Sequence, residues 1–159
     1  MNFHIRKATK QDMPAVLGLI QQLADYEKEP DAVEISVSDL ERDGFGENPL
    51  FNCYVAEVDN KILGMALFYF RYSTWKGKTV HLEDLVVSEE FRGKGLGTAL
   101  FKKMMEYGKK QNVRRIEWAV LDWNSPAIKF YEKAGATLLK DWYLVQFDRE
   151  SYSRFLENS

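Results

Sequence analysis

A single cysteine, Cys53, stands among 159 residues, so no intramolecular disulfide can staple this chain, and a reducing compartment suits it. Histidine is almost as scarce. His4 and His81 are the only two, and neither lies at metal-ligand spacing to the other or to Cys53, so no metal site is expected. Long apolar stretches are missing as well: the longest, Ile62 to Phe70, contains Gly64 and is too short to cross a bilayer. Met1 to Lys7 carries no apolar core of a secretion signal, which leads us to expect a cytoplasmic protein with no membrane partner. Repeats, low-complexity tracts and linkers are also lacking. The expectation is one domain over residues 1–159, long enough to bury a core of its own.

Charge is short in total but not in distribution. The formal net charge is only −2. Between Asp25 and Glu47, nine acidic residues face two basic ones, and between Arg92 and Arg115, eight basic residues face one acidic. The first stretch suits a cation and the second an anion, although two solvated helix faces of opposite sign would look the same. A nucleic-acid partner is not expected, because phosphates need a contiguous basic surface that a net acidic chain with an acidic half does not offer.

What is present centres on Phe91-Arg92-Gly93-Lys94-Gly95-Leu96-Gly97. An apolar strand enters this run and an amphipathic helix leaves it. Alternate glycines free the backbone for positive φ and let a ligand approach the main chain, while the helix start adds unpaired amides and a positive dipole end. A polyphosphate fits such a turn. The spacing G-x-G-x-G is neither the dinucleotide fingerprint nor the P-loop, and alone it is equally compatible with plain turn chemistry.

Around that turn the periodicities predict a first strand at Phe3 to Ala8, a helix capped by Thr9 through about Tyr26, and a short helix from Ser36 or Ser38 to Gly44-Phe45-Gly46. A hairpin follows, Phe51–Val58 and Ile62–Tyr72, then a strand at Thr79–Val87. The glycine turn leads into a helix through about Gln111, a strand at Val113–Leu121, and a helix opened by Asn124-Ser125-Pro126 and closed by Gly135. Asp141–Phe147 reads as a last strand and Glu150–Leu156 as a final helical turn. The order β-α-α-β-β-β-α-β-α-β makes a mixed α/β sheet with helices on both faces, with the glycine turn where the antiparallel half meets the parallel half.

Strand, R-x-x-G-x-G turn and capped helix together resemble the GNAT superfamily of acetyl-CoA-dependent N-acetyltransferases, with Arg92, Gly95 and Gly97 on its pyrophosphate motif and Asn124, Phe130, Tyr131 and Gly135 on its following helix. Glu27, Asp43-Gly44-Phe45-Gly46, Tyr72 to Gly77, Leu82-Glu83-Asp84 and Ala119 to Asn124 further resemble the spermidine/spermine acetyltransferase family, and within it the thialysine N-ε-acetyltransferase branch. Polyamine-acetylating members carry an acidic residue shortly before the tryptophan. Here the stretch is Ser73-Thr74-Trp75, which argues against long polycationic acceptors. The Glu-Gly-Trp pattern near the family's C-terminus appears as Lys140-Asp141-Trp142.

Acetyl transfer needs a neutral amine, a stabilised oxyanion and a proton for the departing thiolate. Glu83 and Asp84 are adjacent carboxylates inside an otherwise apolar strand, pointing to opposite faces if that strand is regular. Burial of either without a partner is costly, so they are candidates for a site, with an ion pair as the equal alternative for Asp84. His81 shares Glu83's side by alternation and is a weaker base candidate. The resemblance implies that Glu83 relays the amine proton and that Tyr131, by spacing a core aromatic, is the general acid. It implies that main-chain groups of Leu85, Val86 and Val87 hold the pantetheine arm, that Arg92, Gly93, Lys94, Gly95, Leu96, Gly97 and Thr98 cradle the pyrophosphate, and that Asn124, Ser125, Pro126 and Ala127 meet the far side of coenzyme A. Lys102 and Lys103 read as an exposed helix face or as partners of the terminal phosphate. Substrate contacts are expected from Tyr26, Glu27, Trp75, Glu83 and Asp84, carboxylates for ammonium and aromatics for cation–π contact. Cys53 reads as a small core residue.

The expected activity is therefore acetyl transfer from acetyl-CoA, by direct attack in a ternary complex, to a thialysine- or lysine-like amino acid or a short diamine. Acetylation of protein lysines or N-termini, and a non-catalytic acyl-CoA sensor, are the alternatives. The resemblance also implies a homodimer.

Overall fold

Apolar alternation in three consecutive segments builds an antiparallel meander. Its strands are β2 (Asn52–Val58), β3 (Lys61–Ser73) and β4 (Gly77–Val87). Asp59 and Asn60 take positive φ of 48° and 63° in the two-residue turn between β2 and β3, the geometry that tight hairpins need. β1 (His4–Lys7) joins antiparallel on the β2 edge and β5 (Ile116–Glu117) joins parallel on the β4 edge, giving a mixed five-stranded sheet in the order β1-β2-β3-β4-β5. The computed structural model describes all residues from Met1 to Ser159. They form two compact units, Met1–Ala119 and Val120–Ser159.

The first unit holds the whole sheet and three helices: α1 (Met13–Tyr26), α2 (Val37–Phe45) and α3 (Leu96–Lys110). Before α1, a short 3-10 turn at Lys10–Asp12 is fixed by Asp12, which accepts from the backbone N–H of Thr9 at 2.7 Å and pairs with Arg6 at 2.7 Å. Arg6 also meets Glu57 at 2.7 Å, tying β1 to β2. Ser36 caps α2 by accepting from Asp39 N–H at 3.1 Å, and Asp39 accepts from Ser36 N–H in return. On one face of the sheet, Met13, Val16 and Leu19 of α1 and Leu40 of α2 pack on Val55, Met65, Leu67 and Val86. On the other, α3 buries Leu96, Leu100 and Met104, and its Tyr107 ring lies 5.1 Å from that of Phe68. Gly108 lets α3 approach β5: a Cβ there would sit 2.7 Å from Ile116 Cδ1.

Helices on both faces were expected, and so were the meander and the parallel return. Two strand expectations need correction. Val113–Leu121 was read as one strand, but only Ile116–Glu117 pairs with β4, through Val80↔Ile116 and His81↔Glu117. Apolar content alone does not make a strand; a ladder partner does, and β4 runs on to Val87 without β5 beside it. Asp141–Phe147 was read as a last strand, and it forms none. The second unit contains α4 (Ser125–Lys133) and α5 (Arg149–Glu157) and offers this segment no strand to pair with. Its side chains are bare instead, with Tyr143 92% and Val145 89% exposed. The final helical turn is longer than expected and is capped by Asp148, which accepts from Ser151 N–H at 2.8 Å.

Candidate active site

β4 carries one residue more than β3 can match. Leu67 pairs with Asp84 and Phe68 with Leu82, leaving Glu83 as the extra residue of a β-bulge. The bulge corrects the expectation that Glu83 and Asp84 point to opposite faces. Leu82 pairs with Phe68 on the α3 side, and Asp84 pairs with Leu67, which packs among the α1 residues. Glu83 Oε2 accepts from the Tyr69 hydroxyl at 2.8 Å, and Tyr69 lies two residues along the strand from Leu67, on the same side. The two adjacent carboxylates therefore share the α1 face.

A third carboxylate joins them. Glu27 ends α1 as its C-cap, and burial raises its pKa. Burial first, and then the negative charges of Glu83 and Glu27, push Asp84 up to about 6. The charges of Glu83 and Glu27 both reach the half-buried Asp84, and such a grouping suits a cation. Tyr69 is also pushed up to about 12, by burial and by its bond to Glu83, so it stays a hydrogen-bond donor. Cys53 is buried and its thiol is pushed up to about 12 by that burial, as befits a core residue and not a nucleophile.

The glycine turn starts directly after β4 and a 3-10 turn at Glu89–Phe91. Gly93 and Gly95 have φ of +74° and +90°, whereas Gly97 does not share their positive φ: it is already helical, because α3 starts at Leu96 with Gly95 as its cap. Arg92, Gly93, Lys94 and Gly95 are exposed. A Cβ on Gly93 or Gly95 would meet nothing within 4 Å, so the space over the turn is open. The first-turn amides of Leu96, Gly97 and Thr98 have no intrahelical acceptor. Arg92 donates from Nε to Val87 O at 3.3 Å and its guanidinium lies 5.0 Å from the Tyr26 ring centroid, which binds the end of α1 to the turn. Lys94 sits over the Phe91 ring. Lys103 stands 6.0 Å from the Tyr54 ring, and Lys102 is exposed. Leu85, Val86 and Val87 lie on β4 beyond the last pairing with β5.

The first unit thus assembles Tyr26 and Arg92, and separately Glu27, Glu83 and Asp84. Trp75 is not in this group: it stands 80% exposed at the tip of the β3–β4 hairpin, its backbone N–H on Ser73 Oγ. In the second unit, Asn124 caps α4 by accepting from Ala127 N–H at 3.4 Å, with Pro126 in the first turn, and the Tyr131 ring lies 5.5 Å from that of Phe130. Sequence reasoning missed Tyr69, Arg71, Arg115 and Glu117. Arg71 Nη1 meets Glu117 Oε1 at 2.7 Å and Arg115 Nε lies 3.1 Å from Glu117 Oε2, with His81 between Glu117 and Glu83. The available signal was an acid at Glu117 between Ile116 and Trp118.

Residues 18–136 match the Acetyltransferase (GNAT) family. The chain is 40% identical over 158 residues to the thialysine N-ε-acetyltransferase of Bos taurus, covering 92% of this chain and 93% of that protein. It is 33% identical to the protein of that name from Caenorhabditis elegans, covering 98% of both. Among solved structures, an integron cassette protein from V. cholerae superposes with a TM-score of 0.80 at 25% identity over 99% of each chain. AAC(6')-Iy, solved with a bisubstrate analogue of coenzyme A, shares the fold with a TM-score of 0.77 at 17% identity, over 93% of this chain and 99% of its own.

Proposed function

The chain belongs to the Acetyltransferase (GNAT) family, and from that premise we propose that it transfers acetyl from acetyl-CoA to a small primary amine, a thialysine- or lysine-like amino acid or a short diamine. The observation that carries the choice of acceptor is the grouping of Glu27 and Glu83 around Asp84, whose repulsion of the Asp84 charge an ammonium group relieves. Relatives named for thialysine support the amino-acid acceptor, and one 34% identical over 72% of this chain is an L-ornithine N5-acetyltransferase of Arabidopsis thaliana. Ser73-Thr74 before Trp75 removes a carboxylate that a long polyamine needs.

The exposed turn fits the coenzyme's diphosphate. Gly93 and Gly95 leave room above the main chain, the amides of Leu96, Gly97 and Thr98 lack intrahelical acceptors, and Arg92 and Lys94 add positive charge. Acetyl-CoA, when bound, supplies an acetyl thioester. Main-chain groups of Leu85, Val86 and Val87 align it, and Asn124, Ser125, Pro126 and Ala127, by their match to the family's motif, are further coenzyme contacts. Glu83 takes the proton of the ammonium and leaves a neutral nitrogen to attack. The Tyr131 hydroxyl gives a hydrogen bond to the departing sulfur. A phenol near 10 facing a thiolate near 8.5 makes full proton transfer uphill by about 2 kcal/mol, so the hydrogen bond itself is the main contribution. Tyr26 provides aromatic surface for the acceptor, whereas Trp75, expected to join it, stands exposed at the hairpin tip.

We place the enzyme in the cytoplasm, in keeping with one buried cysteine and no helix long and apolar enough to cross a membrane. We also propose a homodimer. Trp142, Tyr143, Leu144 and Val145 are four consecutive apolar side chains exposed by 69–92%, a strand sequence without a ladder, and a second copy would supply one. A free-thiol assay with acetyl-CoA across thialysine, lysine, putrescine, spermidine and a histone-tail peptide tests the reading. Thialysine or lysine should turn over fastest. Turnover of the peptide alone would make this a protein acetyltransferase, and coenzyme binding without thiol release from any acceptor would make it a sensor.

A further inference from the structure

The bulge at Glu83 leaves His81 in an arrangement that acetyl transfer as described does not use. His81 Nε2 lies 3.7 Å from Glu83 Oε2, and Nδ1 lies 3.6 Å from Glu117 Oε1. Nδ1 is buried and has no hydrogen-bond partner. The imidazole side chain is 19% exposed, and the Tyr69 ring lies 5.3 Å from it. From β3 it faces Tyr69 and Arg71, from its own strand Glu83 and Asp84, and from β5 and the residues before it Glu117 and Arg115. Arg71 and Arg115 hold the Glu117 carboxylate from two sides, at 2.7 Å and 3.1 Å. An anionic acceptor beside Nδ1 selects the ring form that carries its proton there, and the Nε2 lone pair is then left toward Glu83.

We propose that His81, oriented by Glu117, is a positioning residue that regenerates Glu83 as a base; this rests on Glu83 being the group that deprotonates the acceptor. The proton passes from the ammonium to the Glu83 carboxylate, which becomes a carboxylic acid. It passes on to the Nε2 lone pair, so that Glu83 returns to a carboxylate and His81 becomes an imidazolium between two carboxylates. The imidazolium then gives one proton to water. Glu83 is half exposed on its own, with its side chain 51% accessible, but a bound acceptor occupies that open side, and His81 then offers the proton an exit on the other. The two gaps exceed hydrogen-bond length by a few tenths of an ångström, which a small ring rotation closes.

The test uses the full-length enzyme with acetyl-CoA and thialysine. H81Q should lower kcat about tenfold near pH 7, less than the roughly hundredfold or greater loss of a general base itself, with the KM for acetyl-CoA unchanged. The defect should shrink as pH rises toward the acceptor's own range near 10, where the amine is already neutral, and added imidazole should restore it. E117Q should cost about threefold and nothing further on top of H81Q. A defect equal at every pH and insensitive to imidazole, additive losses in the double variant, or an unchanged kcat would each overturn the proposal. The 15N shifts of the His81 ring decide it without turnover: a proton on Nδ1 is expected, and a proton on Nε2 overturns it. Failure of the wild-type enzyme to acetylate any amine would instead remove the acetyl-transfer reading, and the ring measurement would still stand.

Discussion

Replacing Asp84 by asparagine should stabilise the protein at neutral pH while weakening its hold on the acceptor. Asp84 sits half-buried on the α1 face beside Glu83 and Glu27, and burial together with those charges raises its pKa from 3.8 to about 6. Between these values the folded chain holds a proton that the unfolded chain has released, so stability falls as pH rises through this window and is lowest above 6. Two pK units correspond to at most about 3 kcal/mol. Partial exposure screens part of that, leaving about 1–2 kcal/mol for the uncharged isostere to recover. In a chain of this size that is a Tm increase of about 2–8 °C near pH 7.5, fading to nothing near pH 4. Urea unfolding followed by circular dichroism at several pH values measures it. An asparagine variant no more stable near pH 7.5, or a gain of equal size at every pH, would refute the idea that this carboxylate is held against its preference. The functional half is measured on the same variant: the acceptor KM should rise severalfold with the KM for acetyl-CoA unmoved.

Three further outcomes test other parts of the site. E83Q should lower kcat about a hundredfold and flatten the acid limb of the pH–rate profile, and an unaltered profile would remove Glu83 as the base. Y131F should lower kcat while leaving acetyl-CoA affinity, measured by calorimetry, nearly intact; unchanged turnover would take Tyr131 out of its role. G95A places a Cβ on a residue with φ of +90°, at a cost of about 1–2 kcal/mol, and should weaken coenzyme A binding by reshaping the turn, whereas undiminished affinity would show that the turn does not hold the diphosphate.

Much of this was legible in the residues because local chemistry decides it. Thr9 with Asp12, Ser36 with Asp39, and Asn124 with Pro126 mark helix starts through capping, which needs no distant partner. The Gly93 and Gly95 turn is local in the same sense. Residues 113–121 and 141–147 were misread because a strand is a relation between segments, and alternation of apolar side chains shows only that a segment would accept a partner, not that one arrives. The polar cluster at Glu117 failed for a related reason. Arg115 and Glu117 are near neighbours, but Arg71 comes from β3 and His81 from β4, and nothing in the spacing brings those strands to Glu117.

The bulge was illegible as well, yet the site depends on it. Without the extra residue, strict alternation would keep Glu83 beside His81 and send Asp84 to the α3 face, among Phe68, Leu100 and Met104, where an unpaired carboxylate is costly. With it, Asp84 turns back to the α1 face and meets Glu27, while Leu82 and Leu85 keep their side chains toward α3. The pairing of β4 with β5 ends at His81↔Glu117, two residues before the bulge. The main chain of Leu85, Val86 and Val87 is thereby left without β5 alongside. The inserted residue groups the carboxylates, and the strand edge beyond it, unpaired with β5, leads into the glycine turn.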